Sequence, residues 1–230
     1  MRITVFGATG NVGRRVVAEA VSRGHEVTAV ARTAVRLAGL SGGTDGGMDS
    51  GMDSGMGDGV QSRVRVRAGD ATDVDDVVAS ITGQDLVITA TCPAPGSEGE
   101  LVTVATTLLA ACAKTGVRLL LVGGAGSLTV EGGGLLMDRP GYPSFLLPIA
   151  SACVAQLAAC RADTTADWAY LSPADVLVPG VRTGRYRVGA DELVVDADGE
   201  SRISMEDLAV ALLDEAERPR HHRTRFTVAY

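Results

Sequence analysis

Six short runs of apolar and β-branched residues recur along the chain, and helical stretches separate most of them. They lie near residues 2–6, 26–31, 63–67, 85–90, 117–122 and 168–172. Strands that alternate with helices pair in parallel, because each helix carries the chain back across the sheet before the next strand. The runs at 85–89 and 119–123 are nearly all apolar, as strands covered on both faces must be. The sequence therefore predicts one α/β domain over residues 1–230, with a doubly wound parallel sheet.

The pattern changes towards the C-terminus. Residues 185–204 hold Gly-Ala-Asp and Asp-Ala-Asp-Gly turn signals between short alternating runs, which predicts a hairpin excursion. Residues 205–219 have apolar side chains at helical spacing and acids at the start, so we expect an amphipathic helix there. The run at 225–230 is a last predicted strand.

One segment has hardly any residue able to pack. Residues 41–59 are rich in glycine, repeat Gly-Met-Asp-Ser in tandem, and contain four aspartates and no basic residue. Such a composition cannot offset the entropy of ordering, so a mobile surface loop is predicted across 41–61. A calcium loop is the alternative, but these aspartates lack the alternate-position ligands and the closing glutamate of an EF-hand.

The charge balance favours small-molecule partners. The formal net charge is −7 at pH 7, and no block of Lys and Arg stands out. We therefore expect the protein to bind neither nucleic acid nor an anionic membrane surface. The N-terminus lacks the pattern of a signal peptide and no stretch of about 18 uninterrupted apolar residues occurs, so we expect no membrane span and a cytoplasmic location.

The cysteines do not form a recognisable site. Cys92, Cys112, Cys153 and Cys160 make no CxxC pair and have no histidine at zinc-binding spacing. We expect all four to be reduced packing residues and expect no metal site.

A glycine-rich turn links the first predicted strand to the first helix. Gly7 allows the sharp turn, Gly10 lets the backbone approach a pyrophosphate, and Gly13 lets the helix pack close to the strand. Free N–H groups at the start of the helix face the anion. The alternative is a strand-to-helix turn without a ligand, but the strand before it and the helix after it favour a phosphate cradle. Its predicted residues are Gly7, Thr9, Gly10, Asn11, Val12 and Gly13.

The end of the second strand selects the dinucleotide. An NAD site usually places Asp or Glu there for the ribose 2′-OH, whereas Arg accommodates a 2′-phosphate. No acid follows Glu26 in this strand, and Arg32 comes directly after it. NADP(H) is therefore the preferred cofactor and NAD(H) a possible one. After the third strand, Asp70 is a candidate acceptor for the adenine amino group, with Ala71 against the ring; the alternative is a helix N-cap, a role for which Asp73 is better placed.

Several stretches together resemble the atypical short-chain dehydrogenase/reductase superfamily. They are GATGNVG at 7–13, Arg32, GDATD at 69–73, DLVITATCP at 85–93, VRLLLVGGAGSL at 117–128, DWAYLSPADVLVPGVRTGRYRVG at 167–189, RISMEDLAVALLDE at 202–215 and RFTVAY at 225–230. The chain is most similar to the NmrA-like branch of NADH-flavin reductases, which is close to biliverdin-IXβ/flavin reductases. The resemblance covers nearly the whole chain except residues 41–61.

The resemblance implies a Rossmann fold with the cofactor along the C-terminal edge of the strands. It places Ser127 and Pro173 near the reacting ring and makes a flavin a substrate rather than a tightly bound group. The implied nicotinamide-side residues are Ala90, Thr91, Gly123, Gly124 and Ala125.

The catalytic pair of typical short-chain dehydrogenases is absent. In that pair, Tyr-x-x-x-Lys, the lysine lowers the tyrosine pKa so that the phenol can pass a proton to a carbonyl. The one lysine, Lys114, has no tyrosine four residues before it, and Tyr142 is followed four residues later by Leu146. We expect Tyr142 to be a pocket wall and Ser127 the better polar contact, and these two are the candidate catalytic residues.

A conjugated acceptor suits a site without this pair. A flavin or quinone accepts hydride on an extended π-system and can take its proton from solvent, so it needs mainly stacking geometry. We therefore expect an NAD(P)H-dependent reductase of such acceptors. A non-catalytic NADP(H)-binding redox sensor is one alternative, since it needs no catalytic pair. An epimerase or reductase of natural-product metabolism is another, disfavoured by the short C-terminal region.

Overall fold

The structure is a computed structural model that describes residues 1–32 and 63–230. The loop predicted at 41–61 lies outside the described residues. The strands are β1 (Arg2–Phe6), β2 (Glu26–Ala31), β3 (Val64–Ala68), β4 (Leu86–Thr89), β5 (Arg118–Val122), β6 (Trp168–Ser172), β7 (Val176–Val178), β8 (Arg187–Gly189), β9 (Arg202–Ser204) and β10 (Thr224–Ala229). The helices are α1 (Asn11–Ser22), α2 (Val74–Ile81), α3 (Glu100–Thr115), α4 (Leu147–Ala162) and α5 (Met205–Glu217), with short 3-10 turns at Leu136–Asp138 and Ser144–Leu146. The six predicted strands, the helix after residue 204 and the last strand are confirmed.

The main sheet has the strand order β3-β2-β1-β4-β5-β6-β10-β8. Its neighbours are parallel except for β8, which runs antiparallel to β10. The chain moves outwards from β1 to β3, then returns to the other side of β1 with β4. This reversal opens a crevice at the carboxyl ends of β1 and β4, where doubly wound sheets bind ligands. The predicted doubly wound parallel sheet is confirmed.

Helices cover both faces of the sheet. Residues of α1 and α5 form one core with the strands, and residues of α2, α3 and α4 form the other. In β5, Leu120 belongs to the first core, whereas Leu119 and Leu121 belong to the second. A strand packed on two sides needs apolar side chains along its buried length, which explains the apolar run that follows Arg118.

The C-terminal excursion differs from the prediction, because its two short strands do not pair with each other. β8 pairs with β10, and β9 pairs in parallel with β7 in a separate two-stranded sheet. The turn signals are real, since the N–H of Gly199 donates to the carbonyl of Asp196 at 3.1 Å. However, the residues after β8 bond to the loop after β5, where the Leu193 N–H donates to the carbonyl of Thr129 at 2.8 Å. The Leu193 N–H is therefore bonded to the loop after β5 and is not available for pairing within a hairpin.

In the described part of the chain, one helical segment, Ser144–Ala162, is long and apolar enough to cross a membrane. Its inner face places Cys153, Leu157 and Cys160 in the protein interior. The buried Gln156 side chain lies 3.0 Å from the Tyr170 hydroxyl of β6. The segment is therefore a covering helix of the sheet.

Three of the four cysteines pack as predicted. Cys112, Cys153 and Cys160 are free and buried, whereas Cys92 is free and exposed. The packing prediction is wrong for Cys92 because β4 ends at Thr89 and the chain has already left the sheet.

Candidate functional site

The glycine turn after β1 is built on two close backbone approaches. Gly7 has a φ of +75°, which favours glycine, and a Cβ there would lie 2.6 Å from the carbonyl oxygen of Ala90. A Cβ at Gly13 would lie 2.0 Å from the carbonyl oxygen of Gly7. These two glycines are therefore required by the turn itself, whether or not a ligand binds.

Gly10 is different, because the backbone does not require glycine there. Its φ of −74° and ψ of 169° suit any residue. A Cβ would meet the Gly7 carbonyl oxygen at 3.2 Å, with the next atom, the Ala90 oxygen, at 3.8 Å. The missing side chain leaves open space at the mouth of a cleft, and this is the space that a pyrophosphate needs.

The start of α1 is suited to an anion. Its N-cap is Gly10, which offers no side-chain oxygen, and its first turn holds no acidic residue. Of the other helices, α2 and α5 begin with side-chain caps from Asp73 and Ser204, whereas α3 and α4, like α1, have none. The first-turn N–H groups of α1 are thus left for an outside acceptor, and the helix dipole favours a negative one.

A cleft of about 910 Å³ opens at the carboxyl ends of β1, β2, β3 and β4. Its volume is adequate for a dinucleotide-sized ligand. The predicted cofactor residues that line it are Gly7, Thr9, Gly10, Asn11, Val12, Arg32, Asp70, Ala71, Ala90 and Thr91. The other predicted residues, Gly13, Gly123, Gly124, Ala125 and Pro173, lie outside its lining, as do Ser127 and Tyr142.

Asp70 is held as an acceptor at one end of the cleft. Its Oδ1 accepts hydrogen bonds from the Thr72 N–H at 2.9 Å and from the Thr72 hydroxyl at 2.7 Å. These bonds, with a smaller contribution from the Arg32 charge, lower the pKa of Asp70. The N-cap alternative for Asp70 is wrong, since Asp73 caps α2 by accepting from the N–H groups of Asp75 and Asp76. The charged Asp70 carboxylate thus remains at the cleft wall.

Arg32 reaches across the same end of the cleft. Its Nη1 lies 3.5 Å from Oε2 of Glu100, the first residue of α3, and the side chains are 66% and 43% exposed. Sequence reasoning missed Glu100 as a site residue, although an acid in the first turn of the helix after β4 was a visible signal. It also missed the lining residues Cys92, Pro93, Leu101, Val104 and Met205.

The glycines after β5 are fixed by what lies behind them. A Cβ at Gly123 would fall 2.0 Å from the ring of Tyr170, and one at Gly124 would fall 2.9 Å from Sγ of Cys153. The Tyr170 hydroxyl is buried and lies 3.1 Å from the carbonyl oxygen of Cys153. Burial, with nearby thiols, raises the pKa of Tyr170, so this phenol stays protonated. The glycine pair therefore keeps the backbone close to the sheet.

The two candidate catalytic residues have different surroundings. Ser127 is buried, and its Oγ accepts a hydrogen bond from Nη1 of Arg225 at 2.9 Å. Arg225 is itself buried and also binds the carbonyl oxygen of Asp191. Tyr142 is partly exposed, and burial together with the negative charge of Asp175 raises its pKa. Ser127 is thus anchored to β10, and Tyr142 remains a neutral phenol near pH 7.

The fold and the glycine turn agree with comparisons to known proteins. A family model described as NAD(P)H-binding matches residues 7–45 and 56–219. The uncharacterized protein YwnB of Bacillus subtilis is 35% identical over 237 residues, which cover 99% of this chain and 98% of that protein.

Two solved structures share the fold over the whole chain. One is a Bacteroides thetaiotaomicron protein provisionally named an epimerase, with 37% identity, a TM-score of 0.82, and 100% and 96% of the two chains covered. The other is a Streptococcus pneumoniae protein provisionally named an NADH-flavin reductase, with 29% identity, a TM-score of 0.80, and 100% and 99% covered. The glycine cradle, the doubly wound sheet and the family match together establish that this chain belongs to the NAD(P)H-binding family of Rossmann-fold proteins.

Proposed function

We propose that this protein is an NAD(P)H-dependent reductase that passes hydride to a small conjugated acceptor such as a flavin or a quinone. The binding of a dinucleotide is supported above all by Gly10, whose backbone angles do not require glycine. It stands at a helix start without a side-chain cap, beside a cleft of about 910 Å³. The provisional name of the Streptococcus pneumoniae relative supports the choice of acceptor.

The residues that would hold the dinucleotide follow from the cleft. The turn at Gly7, Gly10 and Asn11 would hold the pyrophosphate, and Asp70 with Ala71 would contact the adenine; all five residues line the cleft. Arg32 is the one basic side chain that lines the described part of the cleft, so it is the group for a 2′-phosphate. On this basis NADP(H) is preferred and NAD(H) is also bound.

At the reacting end, this chain contributes shape more than acid–base chemistry. When bound, the nicotinamide ring supplies the hydride. Gly123 and Gly124 let the backbone lie close to the side chains of Tyr170 and Cys153, which leave no room for a Cβ at either position. Ala125 and Pro173 follow β5 and β6 at the same edge of the sheet. These residues would orient an acceptor ring stacked on the nicotinamide, with about 3 to 3.5 Å between the reacting carbons.

No lysine assists the phenol of Tyr142, and its pKa is raised rather than lowered. A general acid with a pKa near the working pH is the efficient kind, so Tyr142 is poorly matched to proton transfer near pH 7. An acceptor that spreads the incoming electron pair over its rings can take its proton from water. This difference is why we favour a flavin or quinone over a simple carbonyl compound.

A redox sensor that binds NADP(H) without turnover is the second candidate. It is favoured by the Ser127 side chain, whose oxygen is occupied by the buried Arg225 instead of facing a substrate. A protein that only binds needs the Gly10 cradle and Arg32 but no reacting groups.

The deciding experiment measures the oxidation of NADPH and of NADH by riboflavin, by FMN and by a soluble quinone. Each pair of dinucleotide and acceptor is measured with the protein and without it. Gly10→Val is the matched control, because it blocks the cradle and leaves the rest of the site intact. We expect oxidation that depends on acceptor and on protein, and that is lost in the control. Binding without oxidation would establish the sensor, and the absence of binding would reject both candidates.

A further inference from the structure

We propose that Glu100 is a specificity-determining residue, which competes with a 2′-phosphate for Arg32 and so narrows the preference for NADPH over NADH. The inference rests on the proposed function, because it concerns the same dinucleotide cleft. Sequence rules assign the choice between NAD and NADP to the residue at the end of β2 alone, and the inference adds an acid from α3 to that choice.

The contact brings together two groups that are distant in sequence. Arg32 directly follows β2 and Glu100 begins α3, yet Nη1 of Arg32 lies 3.5 Å from Oε2 of Glu100. Both residues line the same cleft. Both side chains are substantially exposed, at 66% and 43%, so a ligand that enters the cleft can reach them.

The charges around Arg32 oppose a second phosphate. Asp70 lies on the same cleft wall, and the Arg32 charge contributes to the lowered pKa of its carboxyl group. Arg32 therefore faces two carboxylates, Asp70 and Glu100. A 2′-phosphate, with a charge of about −1.5 to −2 near pH 7, would either share the guanidinium with Glu100 or displace it, and in both cases it would lie close to the Glu100 carboxylate. NADH carries no such group and meets no such competition.

The size of the effect follows from the exposure of the pair. Exposed ion pairs with a single contact shift an equilibrium by up to about fivefold. We therefore expect Glu100→Gln, which removes the charge and keeps the shape, to lower the Kd for NADPH by about two- to fivefold at low ionic strength. The Kd for NADH should change much less, so the ratio of the two constants is the readout.

Glu98 offers a matched control. It precedes Glu100 by two residues and carries the same charge, but its Oε1 accepts from the N–H of Gly96 at 2.9 Å, and within the described residues it does not line the cleft. Glu98→Gln thus makes the same change in net charge without touching Arg32. It should leave the ratio of the two constants unchanged.

The test is calorimetric titration of NADPH and NADH into wild type, Glu98→Gln, Glu100→Gln, Arg32→Gln and the Arg32→Gln/Glu100→Gln double variant. A raised preference for NADPH in Glu100→Gln that shrinks when Arg32 is also removed supports competition for Arg32. An unchanged ratio in Glu100→Gln, or an equal gain in Glu98→Gln, overturns the inference while leaving the proposed function intact. Failure of wild type to bind either dinucleotide overturns both.

Discussion

The carbonyl oxygen of Gly7 lies 2.0 Å from the position that a Cβ on Gly13 would occupy. Helix α1 therefore packs against the turn at a distance that only glycine permits at position 13. Gly10, between them, has ordinary backbone angles, and a Cβ there would meet the same carbonyl oxygen at 3.2 Å, a tight contact but not an overlap. The three glycines of one motif thus have two separable roles, since two build the turn and one leaves room for a ligand.

This separation predicts different outcomes for the same substitution at two positions. Gly10→Val should keep the fold and abolish measurable dinucleotide binding, because its side chain takes the space of the pyrophosphate. Gly13→Val should lower the Tm sharply or prevent folding, because α1 must move away from the turn. Thermal unfolding followed by calorimetric titration distinguishes them. Unchanged affinity in a folded Gly10→Val variant would show that the turn is only structural.

Arg32→Asp should weaken NADPH more than NADH. The substitution replaces a charge-assisted contact with repulsion of the 2′-phosphate, so we expect a loss of about tenfold or more for NADPH and a small change for NADH. Arg65→Asp, at an exposed position on β3, is the control for the change in net charge. Equal losses for the two dinucleotides would place Arg32 away from the phosphate.

A buried carboxylate in the C-terminal half makes stability dependent on pH. Asp207 is fully buried and accepts from the Thr183 hydroxyl at 2.6 Å, the Thr183 N–H at 2.9 Å, the Gly184 N–H at 2.7 Å and the Tyr230 hydroxyl at 2.8 Å. Burial alone favours the neutral acid, but these bonds outweigh it and lower the pKa of Asp207. The ionised group therefore stabilises the native state above its ordinary pKa of 3.8, and this stabilisation is lost as the pH falls through the lower native value.

We expect Asp207→Ala to reduce the free energy of unfolding by about 3 to 5 kcal/mol at pH 7, because several donors lose their acceptor in the interior. Its deficit relative to wild type should shrink as the pH falls below 4. Urea unfolding of both proteins between pH 3 and pH 7 measures this. A constant difference across that range would mean that the charge on Asp207 contributes nothing.

The sequence predicted the parts of this molecule that depend on neighbouring residues. The glycine turn could be predicted because strand, turn and helix are contiguous, and β5 because the residues after Arg118, which are covered on two faces, are all apolar. The hairpin prediction was wrong for the opposite reason. The turn residues near Asp196 specify a bend, but β8 pairs with β10 and β9 pairs with β7. Both partners are distant in sequence, so the local pattern does not reveal them.

The candidate site divides in the same way. Arg32 could be identified from its place after β2, whereas its pairing with Glu100 needs the fold, which brings the end of β2 near the start of α3. The hydrogen bond from Arg225 to Ser127 joins residues 98 positions apart, and no local sequence pattern predicts it. Short motifs therefore identify some of the groups that line the cleft, whereas the contacts between groups distant in sequence depend on the fold.

Finally, reduction of a flavin or quinone by NADPH should depend weakly on Tyr142→Phe and strongly on Ala125→Leu. Burial and Asp175 raise the pKa of Tyr142 above its ordinary value of 10.0, so near pH 7 the phenol holds its proton too tightly to be an efficient acid. Ala125 follows the glycine pair that packs closely against Tyr170 and Cys153, and we expect added bulk there to push a stacked ring out of line. Hydride transfer needs reacting carbons about 3 to 3.5 Å apart, so a small displacement lowers the rate many-fold. Stopped-flow NADPH oxidation gives the order of wild type, Tyr142→Phe and Ala125→Leu, while calorimetric titration checks that both variants still bind NADPH. If Tyr142→Phe is the inactive variant, the phenol is a catalytic acid and the acceptor is a carbonyl compound.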